Sequence, residues 1–284
     1  MRRLFALLLA LGVAAPFGCA ATVEPTCEPG PSQAYVITAL GFTRENPKGV
    51  AAGFDLDHRV TLKPESFGCG KTDLVSPSGE QGIDNQLALL VPDIEKRVGN
   101  AIDGIIQGAI NDGRLLIVFD LKNVQSQDED RCVDLDVKLA EGKPTLGTDG
   151  VVEAFQTFDP RKQGQQTSKA TGGRIDKRVF TIGPFPLRIP IAIFDVSFMV
   201  YIRDAIIKFT IDEEGNLDGL LGGGVSLDEI AEGVKDGAGL ADLIPQIKFI
   251  GKAAADLGYD DNEGTCSLVS AALAFKARPA FLRP

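Results

Sequence analysis

The sequence predicts an α+β domain with a mainly antiparallel sheet, about three amphipathic helices and disulfide staples. Three observations lead there. Long strand-like segments recur in no regular βαβ order, helical periodicity is confined to three places, and an even set of cysteines follows an export leader.

Taken in order, residues 34–42 have strand composition, and residues 114–121 form an apolar run bounded by Asn111, Asp112 and Gly113. Val133, Leu135, Val137 and Leu139 alternate with Asp134, Asp136 and Lys138, the signature of a half-buried strand. Residues 151–158, 178–182, 187–202, 205–211 and 266–281 add further strand-like stretches. Pro184, Pro186 and Pro190 limit how far that region enters a sheet interior, because proline donates no ladder hydrogen bond.

The first helix is expected over residues 93–110. Ile94, Val98, Ala101, Ile102, Ile105, Ile106 and Ala109 keep helical spacing, and Pro92 suits a first helical position. Ser226 with Glu229 makes a capping box opening a short second helix. A third is expected from about Asp242 to Leu257. Residues 160–176 are polar and glycine-rich and read as a long loop, and Gly222, Gly223 and Gly224 read as a strand-to-helix turn.

Arg2 and Arg3 followed by an apolar run from Leu4 to Ala15 form a secretory leader, shorter than the roughly 20 residues that cross a bilayer. Pro16, Phe17, Gly18 and Cys19 resemble the lipobox of bacterial lipoproteins, in which the cysteine is acylated and becomes the new N-terminus. Gly18 and Cys19 fit; Pro16 and Phe17 depart from the aliphatic and small residues usual there. Ordinary cleavage after Ala20 or Ala21 is the alternative. In that family Ala20 behind the cysteine implies sorting to the outer membrane. The organisation expected is a signal peptide over 1–18, a tether over 19–32 and a single α+β domain over 33–284.

Cys27, Cys69, Cys132 and Cys266 remain, an even number in an oxidising compartment, so two disulfides are expected. Three connectivities are open. With no CxxC spacing, a zinc site is disfavoured.

With 29 basic and 39 acidic residues the formal charge is -10, which becomes -12 once the two leader arginines are removed. That sign disfavours nucleic acid and anionic lipid headgroups. A single His and no Trp exclude sites built on several imidazoles and binding faces built on Trp.

Gly70, Lys71 and Thr72 lack the earlier glycine of a P-loop, whose place Glu65 takes. His58 is the only candidate general base of a serine triad, and no G-x-S-x-G elbow accompanies it. The distinctive chemistry is acidic. Asp55 and Asp57, two apart on an extended segment, share a face, while Asp73, Asp84 and Asn85 lie on a Gly/Pro/Ser loop able to fold back on them. That mixture of carboxylates and an amide suits Ca²⁺, which takes six to eight oxygens. Asp84 is alternatively a helix cap. The cluster from Asp260 to Gly264 reads as a solvated turn.

Gly53-Phe54-Asp55-Leu56-Asp57, Gly82-Ile83-Asp84-Asn85-Gln86 and the closing segment 266–280 resemble a group of uncharacterised exported proteins of Gram-negative bacteria. That resemblance implies export and no particular activity. The expectation is a non-enzymatic lipoprotein of the cell envelope, with a binding or structural role, possible Ca²⁺ at the acidic loop, a membrane anchor and an envelope partner. The alternative is a secreted hydrolase of extracellular polymers using two carboxylates.

Overall fold

The computed structural model describes residues 27–64, 69–98, 102–161, 168–193, 196–235 and 244–283. The leader, Cys19 and most of the tether lie outside these residues. Among those described, no helix is long and apolar enough to cross a membrane.

The strands are β1 (Gln33–Phe42), β2 (Leu116–Lys122), β3 (Glu129–Glu141), β4 (Gln156–Pro160), β5 (Ser168–Asp176), β6 (Val179–Ile193), β7 (Val196–Ile211), β8 (Leu217–Val225), β9 (Leu257–Asp260) and β10 (Thr265–Leu282). The helices are α1 (Gln86–Val98), α2 (Ile102–Asn111), α3 (Leu227–Val234) and α4 (Ile244–Ala254). The sheet is mostly antiparallel, as expected, but it does not stay open. Antiparallel ladders run β1–β2–β3–β5–β6–β7–β8–β10 and return to β1, closing an eight-stranded barrel. Strand β4 stands outside this ring, parallel to the end of β10 and antiparallel to the end of β3.

An eight-stranded barrel is just wide enough inside for side chains to fill it. Four aromatic rings do so. Phe180 stacks on Phe209 at 4.7 Å, and Phe119 meets Phe275 edge-on at 5.2 Å. All four are among the most completely buried side chains. Their room comes from glycine: a Cβ at Gly173 would sit 2.8 Å from the Phe180 ring, and one at Gly219 would collide with Phe209. Every residue from Leu116 to Leu121 is buried, so β2 is covered on both faces, which explains its unbroken apolar run. The segment leading into β4 closes over the outer face, where Arg278 donates to the Val152 carbonyl at 3.0 Å.

Several expectations need correction. Residues 168–176 are not loop but strand β5, whose alternating burial is carried by Ser168, Ala170, Gly173 and Ile175. Gly222 to Gly224 form no turn; they lie inside β8. The strand expected at 151–158 starts only at Gln156. The expected helix over 93–110 is two helices, making four in all among the described residues. Pro92 lies inside α1 rather than at its start. The carbonyl that Pro92 leaves without an intrahelical donor, that of Ala88, accepts the Glu45 N–H instead, at 3.4 Å. Pro184 and Pro186 do enter β6, at register shifts between Ile182 and Leu187 that absorb their missing N–H groups.

The serine half of the capping box is present, the Ser226 side chain accepting from the Glu229 N–H, while the Glu229 carboxylate pairs with Arg203. Two disulfides form, Cys27–Cys132 and Cys69–Cys266, closing sequence separations of 105 and 197. By the chain-entropy argument each stabilises the fold by about 4 to 5 kcal/mol. They mark an oxidising, exported compartment.

Because the interior rings have no space to collapse into, Phe209→Ala is expected to cost about 3 to 5 kcal/mol. Urea unfolding with both disulfides intact measures it, and a loss below about 1 kcal/mol would show that the barrel interior is loosely filled.

Candidate metal centre

The long connection from β1 to α1 folds onto the outside of the barrel. Single bridges pair Val50 with Val75, Phe54 with Asp84 and Leu74 with Ile83, and Ala51, Leu74, Ile83 and Ala88 make a small core of their own. The three-glycine run in β8 supplies the seat. A Cβ at Gly222 would lie 2.5 Å from the Phe54 ring, so only a bare backbone lets that ring lie flat on the strand. Gly82, at φ +79°, brings the opposite arm in close: a Cβ there would stand 3.0 Å from the Arg59 carbonyl.

With both arms fixed, the acids meet. Asp84 is buried, and its Oδ2 accepts from the N–H groups of Leu56 at 2.6 Å and Asp57 at 3.1 Å. Its own N–H donates to the Phe54 carbonyl at 2.9 Å. Asp57 turns the chain at His58, accepting the Arg59 N–H at 2.9 Å. Asp55, Asp57 and Asp84 each offer a carboxylate oxygen, all within 4.8 Å of one another. The Oδ1 of Asp55 is shielded from water and has no hydrogen-bond partner.

Asp73 is close but separately committed: its Oδ2 accepts the Thr61 N–H at 2.5 Å. Asn85 does not join the cluster. Its amide donates to Thr43 Oγ1 at 2.6 Å and the Ala52 carbonyl at 2.7 Å, and its Oδ1 accepts the Ala88 N–H at 3.2 Å. Asn85, rather than Asp84, therefore caps α1, and its amide is engaged in holding the loop. His58 is exposed on its turn. The cluster from Asp260 to Gly264 is a turn, with Asp260 Oδ1 accepting the Asn262 N–H at 2.7 Å. Glu65, which displaces the P-loop glycine, lies outside the described residues.

The sequence reading missed Asp256. It sits 6 % exposed, with Oδ1 accepting the Ser270 N–H at 2.7 Å and Oδ2 bonded to Ser270 Oγ at 2.5 Å, and Ser270 Oγ also accepts the Gln86 N–H at 2.8 Å. Its one sequence signal was a lone acid after Ala253, Ala254 and Ala255. Asp57, Asp73, Asp84 and Asp256 line one cavity of about 240 Å³, together with Arg59, Lys71 and the Cys69 arm of a disulfide. Lys71 reaches across it to the Ala253 carbonyl at 2.5 Å.

Burial makes Asp84, Asp256 and Asp73 reluctant to ionise. Burial, opposed by the Leu56 N–H and reinforced by the Asp57 charge, pushes Asp84 up to about 7. Burial pushes Asp256 up to about 6 against its two bonds from Ser270. Asp73 is raised too, by burial and then by the fields of Asp57 and Asp55. Such a site gains from any hard cation that replaces the missing protons. Comparison of the chain with protein-family models, curated proteins and solved structures finds no match.

In unfolded chain these carboxyls titrate near 4. A raised folded value therefore contributes stability that is complete below about pH 4 and is lost as pH climbs through about 6 for Asp256 and about 7 for Asp84. In chelator, the melting temperature is expected to fall between pH 5 and 8. Asp84→Asn should flatten that slope, and a melting temperature that rises across the window would contradict the assignment.

Proposed function

We propose that this chain is an exported, non-enzymatic protein of the cell envelope, tethered through acylated Cys19, whose acidic loop is held in shape by a bound Ca²⁺. The observation that carries the cation is the convergence of Asp55, Asp57 and Asp84 carboxylate oxygens within 4.8 Å, together with Asp55 Oδ1, which is buried and has no partner among the described residues. Oxygens ligating Ca²⁺ at about 2.3 to 2.6 Å stand up to about 5 Å apart, so the spacing suits the ion. Three carboxylates leave three to five positions for backbone carbonyls and water, consistent with the weak affinities of extracellular calcium modules, about 10⁻⁴ to 10⁻³ M. Asp73 and Asp256 add negative field from behind, while Asn85 supports the loop as a cap.

A carboxylate-dependent hydrolase would use the same acids as an acid/base pair. Two features favour an ion over a polymer. Asp84 Oδ2 is saturated by two backbone N–H groups, and the cavity of about 240 Å³ is smaller than the roughly 300 Å³ at which small-molecule pockets begin.

Calorimetric titration at pH 7.5 is expected to give a single Ca²⁺ site in the affinity range above. Ten millimolar Ca²⁺, about 100 times the dissociation constant at the tight end of that range, should stabilise the fold by about 2.7 kcal/mol. Asp55→Asn should weaken binding at least about tenfold, since it removes one of three carboxylate charges facing the ion. Absence of both heat and thermal shift in the parent protein would remove Ca²⁺ from the proposal. Gly222→Val, which evicts Phe54, should abolish the calcium response even though it alters no ligand. The tether is tested apart: Cys19→Ala is expected to lose palmitate labelling and move to the soluble fraction, and unchanged fractionation would defeat the anchor.

A further inference from the structure

We propose that Phe155 and Phe281 form a contact rim with which the folded domain rests on a phospholipid bilayer. The inference builds on the Cys19 anchor just proposed and identifies the face that this anchor turns toward lipid.

The two rings stand side by side, centroids 6.4 Å apart, 64 % and 54 % exposed. Rings left in water add nothing to the core. Phe155 is moreover held there at φ +60°, a backbone region that bulky residues avoid. Its N–H donates to the Pro279 carbonyl at 2.6 Å. The next side chain, Gln156, clamps the same loop through Thr145 N–H at 2.7 Å, Thr145 C=O at 3.0 Å and Glu153 C=O at 2.8 Å. A strained backbone, fixed by this many bonds so that an aromatic ring faces solvent, is the kind of feature that function maintains.

The surroundings fit a lipid headgroup layer. The rings border a groove of about 670 Å³ whose charged lining is balanced, Lys122, Lys138 and Arg283 against Asp120, Glu213 and Glu214. Lys122 and Lys138 are paired with Asp120, and Arg283 with Asp159, so in a chain of net charge -10 this groove offers no cationic field for a strongly anionic surface and suits a net-neutral, zwitterionic headgroup layer better. Aromatic side chains favour that boundary, with their apolar bodies in the acyl region.

The tether points the same way. Ser32 and Gln33 line this groove, and Lys122 Nζ donates to Ser32 Oγ at 3.2 Å. Upstream of them the chain stays on the same end of the barrel, the Pro31 carbonyl accepting the Val124 N–H at 3.1 Å and Cys27 bonded to Cys132 near the start of β3. Between Cys19 and Cys27 the chain can reach at most about 28 Å. An acyl chain on Cys19 therefore keeps this end of the barrel, rather than the opposite one, within range of the membrane.

The test is flotation of the Cys19→Ala chain with vesicles of phosphatidylethanolamine containing one quarter phosphatidylglycerol, which separates the rim from the anchor. The expected result is measurable binding that persists in 0.5 M NaCl. It should fall about tenfold for Phe281→Ser and about a hundredfold when Phe155→Asn is added, in line with the apolar area of each ring. Asn tolerates the positive φ at position 155, so the melting temperature should hold and exclude misfolding. Equal flotation of parent and double variant, or no flotation of the parent, overturns the rim even if Cys19 proves to be acylated. Phe-dependent flotation by a chain whose Cys19 is never acylated supports the rim and removes only the anchor. Phe-dependent sedimentation with insoluble peptidoglycan, without vesicle binding, overturns it in favour of a saccharide ligand.

Discussion

Strand β10 has to satisfy partners on both edges along eighteen residues, and the architecture follows from how it does so. One edge takes β1; the other takes β9, then β8, then β4, in order along its length. Because β1 and β8 are the two ends of one path through the remaining strands, bonding both closes the sheet. Closure fixes the interior width, and four phenylalanine rings with glycines opposite them fill it. Beyond Thr181, β6 is laddered to β7 alone, so the closed ring lies at one end of that long hairpin.

The acidic loop depends on the same strand. Ser270, fully buried in β10, bonds Asp256 on one side and accepts from the start of α1 on the other. Cys266, four residues earlier, is cross-linked to Cys69 at the far arm of the loop. Gly222, in the β8 rung opposite Ala272, receives Phe54. The carboxylates are thus held together by bonds to backbone and by packing, although their mutual repulsion favours separation. Burial and like charge raise Asp84, Asp73 and Asp256 together.

Much of this was legible along the chain. The alternation from Val133 to Leu139, the apolar run in β2, the Ser226 cap and the even cysteine set each arise from local chemistry, and each is found. The errors share one cause. Gly173 and Gly222 look like loop or turn residues because glycine is intrinsically poor in strands, and nothing local marks Gly219 as a core position. Their role appears only when Phe180, Phe209 and Phe54 are placed against them. Pro92 looked like a helix start because its cost inside a helix is met by Glu45, forty-seven residues away. Asn85 looked like a ligand because an amide that bonds Thr43, Ala52 and Ala88 has the same formula as a free one.

By itself, the order of residues determined the secondary-structure periods, the oxidising compartment that two cystines require, and the shared face of Asp55 and Asp57, because these depend on neighbours a few positions apart or on simple inventory. The tertiary structure decided that the sheet closes, which cysteines pair, that Asp256 joins the acids and that Phe155 and Phe281 share a rim. Each of those is a contact between residues separated by a hundred positions or more, and contacts at that range are set by which surfaces pack together, a property no local pattern carries.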